Sequence, residues 1–259
     1  MRMTRHIDFE GIENFRDFGG YATACGRGMK SGVLFRSANH AKATDADLQA
    51  LRDMGVSVVV DLRRTGERQR EPSRRWDGFA ATVIENDIEG DHEDWDKILR
   101  EVEPDAAWFH NDCIRFYRNA PREPRHVDLF RRYFQALADA DGAVVVHCAA
   151  GKDRTGMLCA LTHHIAGVHR DDLIADYLLT NDPQRIARRG AALRAWMREH
   201  IGKQVDDEAL NVALSVHPEY LESAFVTIEE AHGSLDGYLE RVLGVDGALR
   251  ERIAAKILA

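Results

Sequence analysis

Short apolar runs rich in Val, Ile and Leu alternate along this chain with stretches of helical period. That alternation is the pattern of an α/β fold built on a largely parallel sheet. Four runs read as strands: Val33–Arg36, Val56–Leu62, Thr82–Ile84 and Ala143–His147. Between the first two, Leu48, Leu51 and Met54 fall on one helical face. Thr44 and Asp47 have the spacing of a capping box there, and Gly55 stands where a helix stops. Helical period returns from Val127, with Leu129, Phe130, Tyr133, Phe134 and Leu137 on one stripe that ends at Asp141-Gly142. From Thr155 onward the pattern is almost wholly helical, with fresh starts at Asp171-Asp172, Asp182-Pro183 and Ser234. The expected architecture is a central, mostly parallel sheet flanked by helices, with a helical C-terminal half.

One stretch breaks the rhythm. From Asp87 to Asp96 the chain is acidic, and Pro104, Pro121 and Pro124 punctuate the residues beyond it, around an apolar patch at Ile114, Phe116 and Tyr117. We read 87–124 as an inserted helical segment, either a lid over a pocket or a solvated surface excursion. Asp91, His92, Glu93, Asp94 and Asp96 resemble a metal cluster in composition but read as a flexible acidic loop. No repeat, low-complexity tract or linker divides the chain, so residues 1–259 are expected to form a single domain.

Composition adds a little. The 259 residues are 44% hydrophobic and 30% charged, an ordinary soluble balance, and the formal net charge is −8. An acidic total argues against nucleic-acid or membrane-surface partners, though not against an anionic substrate in a locally basic site. Cys25, Cys113, Cys148 and Cys159 form no close-spaced framework. Arg2, Arg5, His6, Asp8 and Glu10 precede no apolar run, so neither a signal peptide nor membrane insertion is expected, and the cytoplasm is the expected compartment.

The chemistry concentrates in Ala143–Gly156, which reads A-V-V-V-H-C-A-A-G-K-D-R-T-G. A buried strand runs into a glycine loop and then into a helix expected to begin near Thr155. Successive loop amides can curve around an anion while the helix dipole adds positive potential. Ala149, Ala150, Gly151, Lys152 and Thr155 are therefore candidate substrate contacts. Arg154, six residues after Cys148, can grip two phosphate oxygens with its planar fork. Cys148 lies at the bottom of the cradle, where the same field favours the thiolate. The parts suit in-line attack by sulfur on phosphorus with no metal or other cofactor. H-C-x-x-G-x-x-R-T-G has six fixed positions, and typical residue frequencies would produce it by chance in such a chain about once in a million.

This motif resembles the protein tyrosine phosphatase superfamily, and its G-K-D-R-T-G form is most similar to bacterial tyrosine and lipid phosphatases related to the secreted mycobacterial enzyme. The resemblance extends through Asn14-Phe15-Arg16-Asp17, Leu34-Phe35-Arg36-Ser37, Asp61-Leu62-Arg63, Ala175-Asp176-Tyr177-Leu178, Asn181-Asp182 and Glu219-Tyr220-Leu221. It departs at His232-Gly233-Ser234, where the family has Tyr before Gly-Ser, and it is loose over 87–124. It implies hydrolysis of phosphate monoesters through a cysteinyl-phosphate. The expected substrates are phosphotyrosine, with phosphoserine, phosphothreonine or phosphoinositides as further candidates.

The leaving group needs an acid. The resemblance points to Asp153 inside the loop. Asp61 is the second candidate, as acid or as a group that positions the loop, because its strand should end on the same side of the sheet as Cys148. Lys152 is expected beside the phosphate, which would suit substrates with more than one, unless it is simply an exposed lysine. His147 should hydrogen-bond backbone and shape the loop. Thr155 could donate to the Cys148 thiolate or cap the helix, and Arg16 and Asp17 could brace the loop from outside. Arg63, Arg64, Arg68, Arg70, Arg74 and Arg75 read as a solvated face or as the rim of the pocket. Two other functions use the same loop: a phosphate-binding module without turnover, and a sulfur-transfer or redox enzyme, against which it counts that the nearest second cysteine, Cys159, lies eleven residues on and inside the helix.

Overall fold

The computed structural model describes residues 5–90 and 95–259. Asp91, His92, Glu93 and Asp94 of the acidic stretch lie outside the described residues, as does Arg2. Five strands, β1 (Arg16–Asp17), β2 (Leu34–Ser37), β3 (Val56–Asp61), β4 (Thr82–Ile84) and β5 (Ala143–His147), form one sheet in the order β1-β2-β5-β3-β4. Only β1 runs antiparallel to its neighbour. Of the four anticipated strands, β4 and β5 match at both ends, β2 is shifted by one residue at each end, and β3 ends one residue early. β1 was not anticipated, because two charged residues in a row carry no strand periodicity.

β5 is buried along its whole length, as a central parallel strand flanked on both faces must be. Its side chains alternate between two cores. Val144 and Val146 join the larger core with α5 (Pro124–Asp139) and α6 (Asp153–Ala166), through Leu129, Phe130, Tyr133, Phe134, Met157 and Leu161. Ala143 and Val145 face the other way, onto Phe15, Phe35 and the Leu48–Leu51 face of α1 (Asp45–Asp53). The capping box of α1 forms as expected: Asp47 N donates to Thr44 Oγ1 at 3.2 Å and Thr44 N to Asp47 Oδ2 at 3.0 Å.

After β3 a short helix unforeseen from sequence, α2 (Thr65–Arg70), sits inside the arginine run; it buries no residue fully and so shows no apolar stripe. The segment after β4 folds as α3 (Trp95–Glu101) and α4 (Ala106–Asn119). Phe109 and Tyr117 of α4 are buried, so this part of the segment is not a solvated excursion. The C-terminal half is helical as expected: α7 (Arg170–Leu178), α8 (Pro183–Trp196), α9 (Asp207–Leu214), α10 (Pro218–His232), α11 (Leu235–Arg241) and α12 (Gly247–Ile257). Asp182 caps α8 through Arg185 N at 2.7 Å and Ser234 caps α11 through Gly237 N at 2.9 Å. A third apolar cluster joins α3 and α4 to α9 and to Met197 and Ile201 beyond α8. No described helix is long and apolar enough to cross a membrane.

The register fixes where chemistry can occur. Ser37, His147 and Asp61 pair side by side at the carboxyl ends of β2, β5 and β3. The loops leaving those three strands therefore open on one edge of the sheet, where ligands bind in parallel α/β folds.

Candidate active site

From His147 the chain leaves β5 and turns through Cys148–Lys152 into α6, which begins at Asp153, two residues before the expected start. Gly151 makes the turn possible. Its φ is +65°, and a Cβ there would come within 2.3 Å of the Ser37 carbonyl oxygen, so no other residue fits without displacing backbone.

The loop carbonyls are pulled outward by three side chains. Asn39 Nδ2 donates to Ala149 O at 3.2 Å, seconded by Asn39 N at 3.1 Å. Asn14 Nδ2 reaches Ala150 O at 3.2 Å and Gly151 O at 3.0 Å. Arg36 Nη2 adds a second donor to Gly151 O at 3.1 Å. In a planar trans peptide the C=O of one residue and the N–H of the next point in opposite directions. Fixing the carbonyls of 149, 150 and 151 outward therefore turns the N–H groups of Ala150, Gly151 and Lys152 toward the concave side. Three consecutive inward amides at a helix N-terminus make an anion cradle with Cys148 at its base.

Arg154 is held from the α2 side. Its Nη1 and Nη2 donate to Glu67 Oε2 and Oε1 at 2.5 and 2.8 Å, a bidentate pair, and Nη1 also reaches Leu62 O at 3.2 Å. Burial would raise the Glu67 carboxyl, but Arg154 outweighs it and holds the group at about 2. The same carboxylate accepts from Arg64 N at 2.8 Å in the first turn of α2. Sequence reasoning missed Glu67, one charge among many in the run, whose only signal was its place three residues after Arg64. Arg125, also unforeseen, is buried beside this pair and donates to the same Leu62 carbonyl at 3.3 Å.

The two candidate acids differ in their surroundings. Asp153 opens α6, is partly exposed, accepts from Tyr117 Oη at 3.2 Å and lies 3.7 Å from Lys152 Nζ. Tyr117 in turn meets the Tyr177 hydroxyl at 2.7 Å. Asp61 is buried and gripped by Arg63, whose Nη2 and Nε approach at 2.7 and 2.9 Å. Burial would raise Asp61; a protonated His147 and the Arg63 fork both lower it, to about 2. Burial itself drives His147 down to about 4, so the imidazole 3.7 Å from Asp61 is neutral at pH 7 and Arg63 is the effective partner there.

His147 contacts the backbone as expected, Nδ1 lying 3.3 Å from Cys148 O, and its ring stacks on His40 with centroids 4.5 Å apart. Thr155 Oγ1 is buried with no hydrogen-bond partner among the described residues. Lys152, expected beside the phosphate or exposed in solvent, is buried and donates from Nζ to the carbonyls of Ala213 and Ser215 at 2.7 and 3.2 Å, at the C-terminal end of α9. Asp17 does not touch the loop; its carboxylate takes Gly19 N and Gly32 N in the turns beside β1. The arginine run divides: Arg63 is buried on Asp61, Arg68 pairs with Glu85 and Asp87, and Arg74 pairs with Asp45 in solvent.

The loop thus sets a cysteine beneath a run of backbone amides, next to a guanidinium held by Glu67, and sequence comparison matches residues 7–259 to the tyrosine phosphatase family. The chain belongs to the tyrosine phosphatase family. It is a protein-tyrosine-phosphatase hydrolase, and phosphorylated substrates follow from that membership. It is 35% identical to a Cupriavidus necator protein assigned as a tyrosine-protein phosphatase, over 94% of this chain and 86% of that one. It is 32% identical to the triple specificity protein phosphatase PtpB of Mycobacterium tuberculosis, over 97% and 98% of the two chains. A tyrosine-protein phosphatase of Nostoc commune is 31% identical over 57% of this chain and 48% of its own.

Proposed function

We propose that this phosphatase hydrolyses phosphate monoesters of phosphoproteins, phosphotyrosine foremost, through a cysteinyl-phosphate on Cys148. The observation that carries the reading is the set of outward-pinned carbonyls at Ala149, Ala150 and Gly151, which builds an anion cradle directly over a cysteine. The thiolate of Cys148 attacks phosphorus, the S–P bond forms and the P–O bond to the leaving group breaks. Arg154 and the loop amides hold the equatorial oxygens as charge shifts onto them. Asp153 gives its proton to the departing oxygen and later takes one from the water that cleaves the S–P bond, returning free thiolate and phosphate. Asp61, sealed on Arg63, positions the edge of the site and is not the acid. Thr155 Oγ1 is the hydroxyl that serves the thiolate. The segment 106–119 forms a wall of the site through Tyr117, rather than a lid.

Two observations weigh on the alternatives. The Lys152 ammonium is already engaged at α9, which favours phosphoproteins over phosphoinositides. Burial pushes the Cys159 thiol up to about 12, which disfavours a second reactive thiolate and hence a redox role. The test is turnover of p-nitrophenyl phosphate, a phosphotyrosine peptide and a phosphoinositide panel by wild type and Cys148→Ser, without added metal. Turnover should vanish in the variant, and acid-quenched wild type should carry the mass of one phosphoryl group on Cys148. Undiminished activity in Cys148→Ser would overturn the mechanism, and faster phosphoinositide turnover would overturn the substrate preference.

A further inference from the structure

The side chains that pin the Gly151 carbonyl have a common root. Asp176, buried on α7, sits 3.0 Å from Arg36 Nη1 through Oδ2, and 3.8 Å from Arg16 Nε through Oδ1. From this carboxylate two arms reach the phosphate loop. The first is Arg36, whose other terminal nitrogen donates to Gly151 O at 3.1 Å. The second runs through Arg16, whose Nη1 donates to Asn14 Oδ1 at 2.5 Å, and then through Asn14 Nδ2 to Gly151 O at 3.0 Å and Ala150 O at 3.2 Å. Arg16 Nη2 also holds the Asp176 carbonyl and Thr180 Oγ1, both at 3.1 Å, so the arm is tied to α7 along its length. The bond to Arg16 orients the Asn14 amide: an oxygen that accepts from Arg16 leaves the nitrogen facing the loop.

We infer that Asp176 is a positioning residue for phosphate binding, fixing through Arg36, Arg16 and Asn14 the peptide planes that aim the loop amides at the anion. This rests on the phosphatase reading above and deepens it. The carboxylate lies behind the loop and acts only through the two arginines. Both guanidiniums are fully buried and share this one carboxylate, which leaves an excess of positive charge behind the cradle. Burial and the neighbouring Arg36 lower Arg16 to about 9, and Asp176 opposes both, so this carboxylate helps to keep the buried cation charged. Room for a substitute is small, since a Cβ at Gly156 would already meet the Tyr177 ring at 2.8 Å and Arg36 Nη2 at 3.5 Å. A loop held this way is preorganised before substrate arrives.

The experiment measures orthovanadate binding by calorimetry, which needs no turnover, alongside kcat and KM for p-nitrophenyl phosphate. Wild type, Asp176→Asn and Asn14→Ala are compared, with near-ultraviolet circular dichroism to establish the fold. Asp176→Asn should weaken vanadate binding by about tenfold or more and lower kcat by a similar factor, and Asn14→Ala should weaken vanadate binding by about three- to tenfold. A folded Asp176→Asn that binds vanadate within about twofold of wild type overturns the inference. If Asp176→Asn does not fold, unchanged vanadate binding by folded Asn14→Ala overturns it equally. A wild type that binds no vanadate overturns the phosphatase reading itself, so the two failures are told apart.

Discussion

At the scale of single residues, this site is a set of charges whose positions are fixed by named partners. In the proposed mechanism Arg154 holds phosphate oxygens with an oriented fork, and Glu67 orients that fork through two parallel hydrogen bonds. Glu67→Gln keeps the shape but loses the charge and one of those acceptors. We expect kcat for p-nitrophenyl phosphate to fall by about ten- to a hundredfold with the fold retained, as checked by circular dichroism. Asp153 and Asp61 separate on the same logic: one is partly exposed with a tyrosine hydroxyl as its donor, the other is sealed in an ion pair. Asp153→Asn should therefore slow aryl phosphates with poor leaving groups far more than those with good ones. A leaving-group series measures this, and equal losses across it would remove Asp153 as the acid.

At the scale of elements, much was legible in the chain because local signals and tertiary packing agree. The Leu48–Leu51 face and the Thr44–Asp47 box specify α1 before any contact is known, and the short β-branched run Ala143–His147 reads as an interior strand, which it is. The box does more than cap. Asp47 also accepts from Glu10 N at 2.8 Å and Gly11 N at 2.7 Å, stitching the N-terminal segment to α1. Asp47→Ala should lower unfolding free energy by about 2 kcal/mol in urea titrations while leaving kcat per folded molecule unchanged. What stayed illegible has equally specific causes. β1 is two residues recognisable only by their pairing with Phe35 and Arg36. α2 shows no apolar face, which hid Glu67 with it. Cys148 and Arg154 could be read from spacing within seven residues, whereas the destination of Lys152 lies 61 and 63 residues away at Ala213 and Ser215.

At the scale of the whole molecule, the buried ionisable groups set a response to acid. His147 is lowered from 6.5 to about 4, and His40, His126 and His163 are lowered as well, all chiefly by burial. Between those values the unfolded chain binds protons that the folded one refuses, so stability falls as pH drops from 6.5 toward 4. Glu67 and Asp61, at about 2 against ordinary values of 4.5 and 3.8, add a second stage: their contribution is complete above the ordinary values and is lost as pH falls toward 2. Melting temperature should therefore decline in two stages on acidification from pH 7.5, and His147→Gln should flatten the first. A melting temperature that rises between pH 6.5 and 4 would contradict this account.

The supports of the phosphate loop come from far along the chain: Glu67 is 87 residues from Arg154, Asn14 is 137 from Gly151, and Arg36 is 140 from Asp176. A ribosome that has just released the Cys148 loop has made the loop without its supports, since α7 is still to come. A fragment that ends before Asp176 lacks the carboxylate on which both arms converge, so on the inference above it should bind vanadate more weakly than the whole chain. During refolding, full activity should therefore lag behind the first formation of the sheet, because the last of these supports to be joined lies on α7.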